Sequence, residues 1–410
     1  MIQNRWFQLI ASLIAMIMIA NLQYAWTLFV RPLQAGTGWA LTDVQFAFTL
    51  FIAFQTWVQP LDGWFIDRLG PRGFITAAGV LCGIGWAGMG SATSLPMLYV
   101  LYCAAGMGAA FVYSASIGSA LKWFKDRRGL ASGIMAAGFG GGTALFIPVI
   151  SDLLASRGYQ TTFALTGAVQ GLVIVAVAQF MRHPAAEPAA APKQAGSAPT
   201  HVRRQFTTLE VLRTPQFYTM YVMFVLMVTG GLLVTANAGP ITQSWGYTTA
   251  QLTLVATLSP LANGASRIFW GWASDKLGRE RTMVLSFGLQ AICLFLVVAL
   301  GRTSVTWFIT TIVLVYFTWG QIYSLFPATS GDYFGSKHAT SNYAILYTAK
   351  GTAAFIILWL GPFLFEQTGS WAMGFYVSAA MALTSALMAF GLRASGARLK
   401  AASVPAPVTT

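Results

Sequence analysis

Twelve apolar runs of roughly 20 residues or more divide the sequence, and no other feature constrains the fold as strongly. A helix of about 20 residues is long enough to cross the hydrocarbon core of a bilayer, which is ~30 Å thick. Only 9% of the residues are charged, against about 25% in soluble proteins. The sequence therefore predicts an all-α membrane protein with twelve transmembrane helices. We expect the spans at residues 6–30, 43–66, 73–92, 95–121, 130–154, 160–182, 216–244, 249–273, 282–301, 304–326, 340–365 and 370–392.

The basic residues predict how these helices are oriented. With both termini in the cytoplasm, nineteen of the 24 Lys and Arg residues fall on the cytoplasmic side, and only Arg31, Arg157 and Arg302 fall outside. Cytoplasmic loops of membrane proteins are enriched in Lys and Arg in this way. The positions of the charges therefore account for the net charge of +13 without a nucleic-acid partner.

A polar segment interrupts the pattern of spans in the middle of the chain. Residues 183–206 are rich in Pro and Ala and lack the apolar side chains of a packed core. Thr207 and Glu210 then match the capping box of a short helix that ends before Pro215. We expect a six-helix bundle at residues 1–182, a cytoplasmic linker at 183–215, a second six-helix bundle at 216–393 and a cytoplasmic tail at 394–410.

The two halves carry the same charged turn. Residues 63–70 (GWFIDRLG) follow the second span, and residues 271–278 (GWASDKLG) follow the eighth. Parallel repeats of this kind place a substrate site between the two halves, near the middle of the membrane.

This doubled turn resembles the signature loop of the major facilitator superfamily. The resemblance covers nearly the whole chain and implies the fold of that family, two pseudo-symmetric six-helix bundles. In the family, the acid of the loop pairs with helix termini and basic residues on the cytoplasmic side and stabilises the outward-open state. The residues that the resemblance assigns to conformational gating are Asp67, Arg68, Asp275 and Lys276.

Two basic residues within predicted spans are the main candidates for function. Arg267 stands eight residues before Asp275, roughly 12 Å along a helix and hence near the middle of the membrane. Lys350 lies at a similar depth in the eleventh span. An ionisable residue at this depth is costly and marks a substrate or ion pathway. A guanidinium fork and an ammonium together suit a small dianion, or a monoanion with water. Each residue taken alone also has a structural explanation. The Arg267 side chain could bond to helix carbonyls, and the Lys350 side chain could snorkel to the membrane surface or form a structural pair.

Acidic residues and histidines are missing from the middle of the predicted spans. All eleven acids and three histidines fall in loops or at span ends, so no proton carrier is predicted beside the two cations. The sequence has no metal-ligand cluster, nucleophile–base pair or Walker-type loop, and we expect no catalytic residue, metal or cofactor. Cys82, Cys103 and Cys293 lie in apolar runs and predict no disulfide framework. Two uncompensated cations oppose the closure of a cavity unless an anion offsets them, and this favours obligatory exchange.

Aromatic and amide side chains accompany the two cations. Trp319 and Tyr323 are four residues apart, so we expect them on one helix face. Such rings exclude water, while tyrosine hydroxyls donate hydrogen bonds to carboxylates. Core packing or an interfacial belt is the alternative for each ring. The glycines of residues 138–142 are expected to allow close helix packing or a hinge. The candidate residues lining the site are Gln23, Tyr24, Tyr113, Trp319, Tyr323 and Tyr347.

Short stretches around these residues resemble the bacterial oxalate:formate antiporters. The resemblance implies a bacterial cytoplasmic (inner) membrane, binding of the oxalate carboxylates by Arg267 and Lys350, and enclosure of oxalate by the aromatic residues. Tyr347 departs from the pattern, because a well-known member of the family has a tryptophan there. The stretches that carry the resemblance are residues 23–28, 267–271, 318–320, 325–327 and 349–350.

Three classes of function are consistent with these patterns. The leading interpretation is a carrier that exchanges small carboxylate anions, oxalate for formate. The alternative is a proton-coupled symporter of lactate- or pyruvate-like monocarboxylates, although such carriers usually have an aspartate one turn before the arginine of span eight, where this chain has Asn263. A membrane sensor is the third class, but neither the linker nor the tail has a recognisable signalling domain. The expected partners are small carboxylates and the lipid bilayer, with no nucleic acid and a monomeric state.

Overall fold

The computed structural model describes residues 4–124, 128–182, 205–335 and 338–402, and within these ranges it is helical apart from short connections. The described residues form sixteen α-helices. Their bounds are α1 Arg5–Tyr24, α2 Trp26–Thr37, α3 Leu41–Trp57, α4 Asp62–Gly88, α5 Leu95–Trp123, α6 Arg128–Gly141, α7 Ile147–Ala178, α8 Thr208–Val211, α9 Pro215–Ser244, α10 Thr249–Leu277, α11 Arg279–Leu300, α12 Val305–Trp319, α13 Ile322–Phe334, α14 Ala339–Tyr347, α15 Ala349–Thr368 and α16 Ala372–Ala402.

Ten segments of the described chain are long and apolar enough to cross a membrane. One of them, Gly133–Ala178, covers both the fifth and the sixth predicted spans. Helix α7 includes the junction between these two spans at Gly158, whose φ of 76° and ψ of 171° are not helical. The eighth predicted span forms α10, which is 29 residues long but less apolar than the ten. All twelve predicted spans therefore correspond to helical segments, and the all-α membrane fold is confirmed.

Several boundaries differ from those predicted. The second predicted span is not one continuous helix, because α3 ends at Trp57 and a 3-10 turn that includes Pro60 precedes α4. The tenth span is longer than expected and extends over Val305–Phe334. Helix α4 includes residues at which a turn was predicted. The side chains of residues 63–71, and with them the predicted gating residues Asp67 and Arg68, lie outside the part that the structure describes.

The capping box after the second gap is present as predicted, but Phe206 before it is buried against Phe334 and does not belong to an unpacked linker. Thr207 caps α8, and the reciprocal bonds of its side chain and that of Glu210 complete a capping box. Residues 183–204 of the expected linker and 403–410 of the expected tail lie outside the described residues.

The helices pack as two six-span bundles. In the first bundle, α4 packs against α5 and α7, and α1 packs against α5 and α6. In the second, α11 and α9 pack against α16, and α10 packs against α12. We call these the N-bundle (α1–α7) and the C-bundle (α9–α16), and the interface between them the seam. At the seam α3 contacts α15, α6 contacts α10, and α2 contacts α9.

The seam is closed on both sides of its centre. We call the side at which α1 and α9 begin the terminal face and the opposite side the distal face. Toward the distal face, the Gly239 amide donates to Thr27 Oγ1 at 2.6 Å, and Gln45 Nε2 donates to Asn237 Oδ1 at 2.9 Å. Toward the terminal face, Trp57 Nε1 donates to the Thr348 carbonyl at 3.1 Å. The site between these contacts is enclosed.

Candidate functional site

Both predicted cations lie buried at the seam. The Arg267 side chain, from α10, is 4% exposed, and Lys350, from α15, is 0% exposed. Arg267 Nη2 donates to Asn263 Oδ1 at 3.1 Å, one helical turn earlier. Arg267 Nε and Nη1 have no hydrogen-bond partner among the described residues. Because a guanidinium can donate through two nitrogens to one carboxylate, Arg267 retains donors for an anion.

Lys350 connects the two bundles through two amide side chains. Its Nζ donates to Gln23 Oε1 at 2.8 Å and to Gln55 Oε1 at 2.7 Å. These glutamines belong to α1 and α3 of the N-bundle, and both are buried. Neutral amide oxygens stabilise the ammonium ion, but they do not cancel its charge. Gln23 and Gln55 therefore hold the Lys350 amine at the seam without supplying an anionic partner.

Neither Arg267 nor Lys350 has a carboxylate partner in the described part of the chain. Among the side chains that the structure describes, Asp62 is the one buried acid, and it accepts a hydrogen bond from the Ser114 hydroxyl. Like charges buried together are costly unless an opposite charge neutralises them. The electrostatics of the site therefore favour a small anion.

One aromatic ring lies beside both cations. The Tyr323 ring centroid is 4.5 Å from Arg267 Cζ and 5.8 Å from Lys350 Nζ. The ring of Tyr347 is also near, with its centroid 5.6 Å from Lys350 Nζ. Cations at these distances from a ring face are attracted by its quadrupole. The two basic side chains therefore lie against the same aromatic ring.

Aromatic rings from both bundles surround Arg267 and Lys350. Tyr113 of the N-bundle stacks on Tyr347 of the C-bundle, with centroids 6.0 Å apart and planes 12° apart. The ring centroid of Tyr323 lies 5.7 Å from that of Trp319 and 6.0 Å from that of Tyr347. The hydroxyl of Tyr24 and that of Tyr323 have no hydrogen-bond partner among the described residues. The structure thus brings together every residue predicted to line the site, namely Arg267, Lys350, Gln23, Tyr24, Tyr113, Trp319, Tyr323 and Tyr347.

Several helices are interrupted beside the lining residues, which the sequence analysis did not predict. Ala25 separates α1 from α2, and Thr348 separates α14 from α15 just before Lys350. Trp319 ends α12 and Tyr323 lies in α13, so they do not share one regular helix as expected. In transporters built from internal repeats, substrate sites are typically formed at such discontinuities.

Sequence reasoning also missed part of the site. A signal for Gln55 was present, because the second apolar run carries amides at residues 45, 55 and 59. Asn263 was noted only because related symporters usually have an aspartate at this position, whereas its side chain accepts a hydrogen bond from Arg267. The remaining rings have no distinguishing pattern in so aromatic a sequence. The missed residues are Gln55, Asn263, Phe139, Tyr316 and Tyr343.

The glycines of residues 138–142 allow α6 to approach Arg267. A Cβ atom on Gly140 would lie 2.9 Å from Asn263 Oδ1 and 3.3 Å from Arg267 Nε. Helix α6 ends at Gly141. The expected close packing of the glycine cluster is therefore present, and it occurs against the site itself.

The second charged turn lies at the terminal face. Asp275 accepts from Arg279 at 2.6 Å, and Arg279 also contacts Asp332 at 3.2 Å. Lys276 Nζ lies 4.3 Å from the ring centroid of Trp272. Asp275 and Lys276 are exposed, so this cluster is separate from the buried site.

Family comparison assigns this architecture. The family model described as Major Facilitator Superfamily matches residues 9–238 and again residues 219–409, so that each half of the chain matches it. The chain belongs to the major facilitator superfamily. This membership and the apolar helices make it a multi-pass membrane transporter.

Two of the curated relatives are named as carriers of carboxylates. The chain is 38% identical to the oxalate:formate antiporter of Oxalobacter formigenes over 376 residues, which cover 92% of this chain and 88% of that protein. It is 24% identical to monocarboxylate transporter 12-B of Danio rerio, over 81% of this chain and 75% of that one.

A solved structure of the superfamily has the same fold. The crystal structure of the D-xylose-proton symporter superposes with a TM-score of 0.77 at 13% identity, covering 94% of this chain and 98% of that one. At this identity the likeness concerns the fold alone.

Proposed function

We propose that the protein is a secondary active transporter that exchanges small carboxylate anions by alternating access, with oxalate and formate as the exchanged pair. The observation that carries this proposal is the pair of buried cations, Arg267 and Lys350, beside one ring and without a carboxylate partner in the described residues. The identity of 38% to an oxalate:formate antiporter supports the choice of substrates.

Each cation takes one part of the substrate. The Arg267 fork binds one carboxylate through the donors that Asn263 leaves open, and Lys350 binds the second carboxylate of oxalate. Formate has a single carboxylate and neutralises one cation at a time. The hydroxyls of Tyr24 and Tyr323 donate to substrate oxygens, while the surrounding rings exclude water.

Exchange follows from the charge of the site. A bound anion offsets the cost of enclosing two cations, so the loaded transporter closes more readily than the unloaded one. Gln23 and Gln55 compete with the anion for Lys350, because their oxygens occupy positions that a carboxylate oxygen would take. Release on one side is thus followed by binding of another anion before the transporter returns.

Reorientation involves both faces of the seam. We assign Asp67, Arg68, Asp275 and Lys276 to gating at the cytoplasmic side, and the ion pair of Asp275 with Arg279 holds this turn in place within the C-bundle. The proposed domain bounds are those of the sequence analysis, 1–182, 183–215, 216–393 and 394–410. The termini lie in the cytoplasm of a bacterial cell, the membrane is the inner one, and the protein acts as a monomer without cofactor, metal or catalytic residue.

Proton-coupled symport of a monocarboxylate is the second candidate function. Relatives named monocarboxylate transporters support it, at lower identity. The group that holds Arg267 is the amide of Asn263, which does not titrate, whereas a carboxylate there would carry a proton. Exchange therefore has the stronger support.

Uptake of labelled oxalate into proteoliposomes tests the proposal. Vesicles are loaded with formate, oxalate or neither, with and without an inward proton gradient. We expect uptake that requires an internal anion and does not respond to the gradient. Gradient-driven uptake into unloaded vesicles would overturn exchange and favour symport.

A further inference from the structure

A groove on the outer surface of the C-bundle lies between α11 and α16 at the terminal face. It encloses about 250 Å³. Its apolar wall is formed by side chains of both helices, of which Leu285 is 57% exposed and Phe390 is 58% exposed. Arg281 and Arg393 lie at its end. The groove is remote from the substrate site and is not used in the proposed transport mechanism. Its lining residues are Glu280, Arg281, Val284, Leu285, Ala389, Phe390 and Arg393.

The two arginines lie together at the terminal-face end of the groove. Arg281 lies in the first turn of α11, and Arg393 lies in the part of α16 that lines the same groove. Both side chains are exposed. At this end of a membrane-spanning bundle we expect the two guanidiniums to lie at the level of the headgroups and the apolar wall to lie against acyl chains.

The charges of the groove are available for an anion. Arg279, two residues before Arg281, is paired with Asp275 and Asp332. Among the described residues, neither Arg281 nor Arg393 forms an ion pair with a carboxylate. The acid of the groove, Glu280, accepts a hydrogen bond from the Tyr333 hydroxyl at 2.7 Å.

We propose that this groove binds an anionic phospholipid, with the phosphate at Arg281 and Arg393 and an acyl chain along Leu285 and Phe390. Charge complementarity selects this occupant, because a guanidinium matches a phosphate through parallel hydrogen bonds. Even with the carboxylate of Glu280 counted, the two arginines leave the groove with a net positive charge, which an anionic lipid offsets and a zwitterionic lipid does not. The apolar wall in turn requires an acyl chain, which a free phosphate ion lacks.

Native mass spectrometry of the purified full-length protein tests the site. The protein in detergent is incubated with phosphatidylglycerol, phosphatidylcholine or inorganic phosphate. We expect one phosphatidylglycerol to be retained roughly tenfold better than phosphatidylcholine, and no retention of phosphate. The double variant Arg281→Gln/Arg393→Gln should lose this preference, and Arg281→Lys/Arg393→Lys should keep part of it because the charge remains.

A matched control removes two charges elsewhere. Arg213→Gln/Arg302→Gln changes two exposed arginines outside the groove and should retain phosphatidylglycerol as the unchanged protein does. The proposal would be overturned by equal retention of both lipids or by an equal loss in the control variant. Competition by inorganic phosphate, or a dimer in place of a lipid adduct, would also overturn it. Thermal unfolding of every variant separates loss of the lipid from loss of the fold.

Discussion

Lys350 in α15 donates a hydrogen bond of 2.8 Å to Gln23 in α1, across the seam between the two bundles. A second bond, of 2.7 Å, reaches Gln55 in α3. The same ammonium that is proposed to bind substrate therefore also connects the parts that must separate during transport. Binding and movement are coupled through one side chain, because an anion and the amides compete for it.

This competition can be tested at Gln55. Gln55→Glu places a carboxylate against Lys350, which neutralises the cation and strengthens the connection between the bundles. Since hydrogen bonds to charged groups contribute about 1.5–3 kcal/mol, we expect oxalate affinity and exchange to fall roughly tenfold or more. Affinity is measured by calorimetry and exchange in proteoliposomes. The control is Gln160→Glu, which makes the same substitution at an exposed position away from the site, and a similar loss in both variants would contradict the role of Gln55.

Arg267 is expected to be essential for transport. Arg267→Gln removes the planar fork and its positive charge, so exchange should be abolished while expression and thermal stability stay close to those of the unchanged protein. Uptake of labelled oxalate measures the effect, and size-exclusion chromatography reports on folding. Arg157→Gln, at an exposed position, is the control. Near-normal exchange by Arg267→Gln would refute its assignment to substrate.

Lys350 is expected to distinguish dicarboxylates from monocarboxylates. Lys350→Gln removes the ammonium that is proposed to bind the second carboxylate of oxalate. Formate has only one carboxylate and does not need this group. The variant should therefore reduce oxalate exchange more than formate exchange, which competition assays with the two anions compare directly. Equal losses for both substrates would count against two separate carboxylate sites.

Asn263 offers a test of proton dependence. Asn263→Asp converts the bond to Arg267 at 3.1 Å into a buried ion pair, so the new carboxylate competes with substrate for the guanidinium. At neutral pH exchange should fall strongly. As the pH is lowered the carboxylate takes up a proton and becomes neutral like the amide, so exchange should recover. A pH profile of uptake for both proteins measures this, and a variant whose profile parallels that of the unchanged protein would argue against the contact.

Closure toward the distal face depends on Gly239. A Cβ atom there would lie 2.4 Å from the Thr27 carbonyl oxygen, too close for α9 and α2 to remain in contact. Gly239→Ala should hold this face open and reduce exchange roughly tenfold, with greater labelling of cysteines introduced beside it. Gly288→Ala is the matched control, because its Cβ would meet no atom within 4 Å. Unchanged exchange in Gly239→Ala would show that this contact is not required.

Much of the site was predictable because charge is rare in this chain. Arg267 and Lys350 stand out in apolar runs, and their cost in a membrane makes a functional role the natural inference. Tyr113 and Tyr347 were only two of many aromatic residues. Their stacking distance of 6.0 Å depends on how the bundles meet, which no local pattern encodes.

The sequence by itself determined that this protein spans the membrane in two similar halves and carries two cations within it. Those properties follow from the length of the apolar runs and the placement of charge, both of which are local. Only the tertiary structure decided what the cations contact. Lys350 and Gln55 are 295 residues apart, and their bond exists because two separately folded bundles meet at the seam. It also decided that Trp319 and Tyr323 remain adjacent although their helix is interrupted, since packing positions the rings where helical periodicity no longer does.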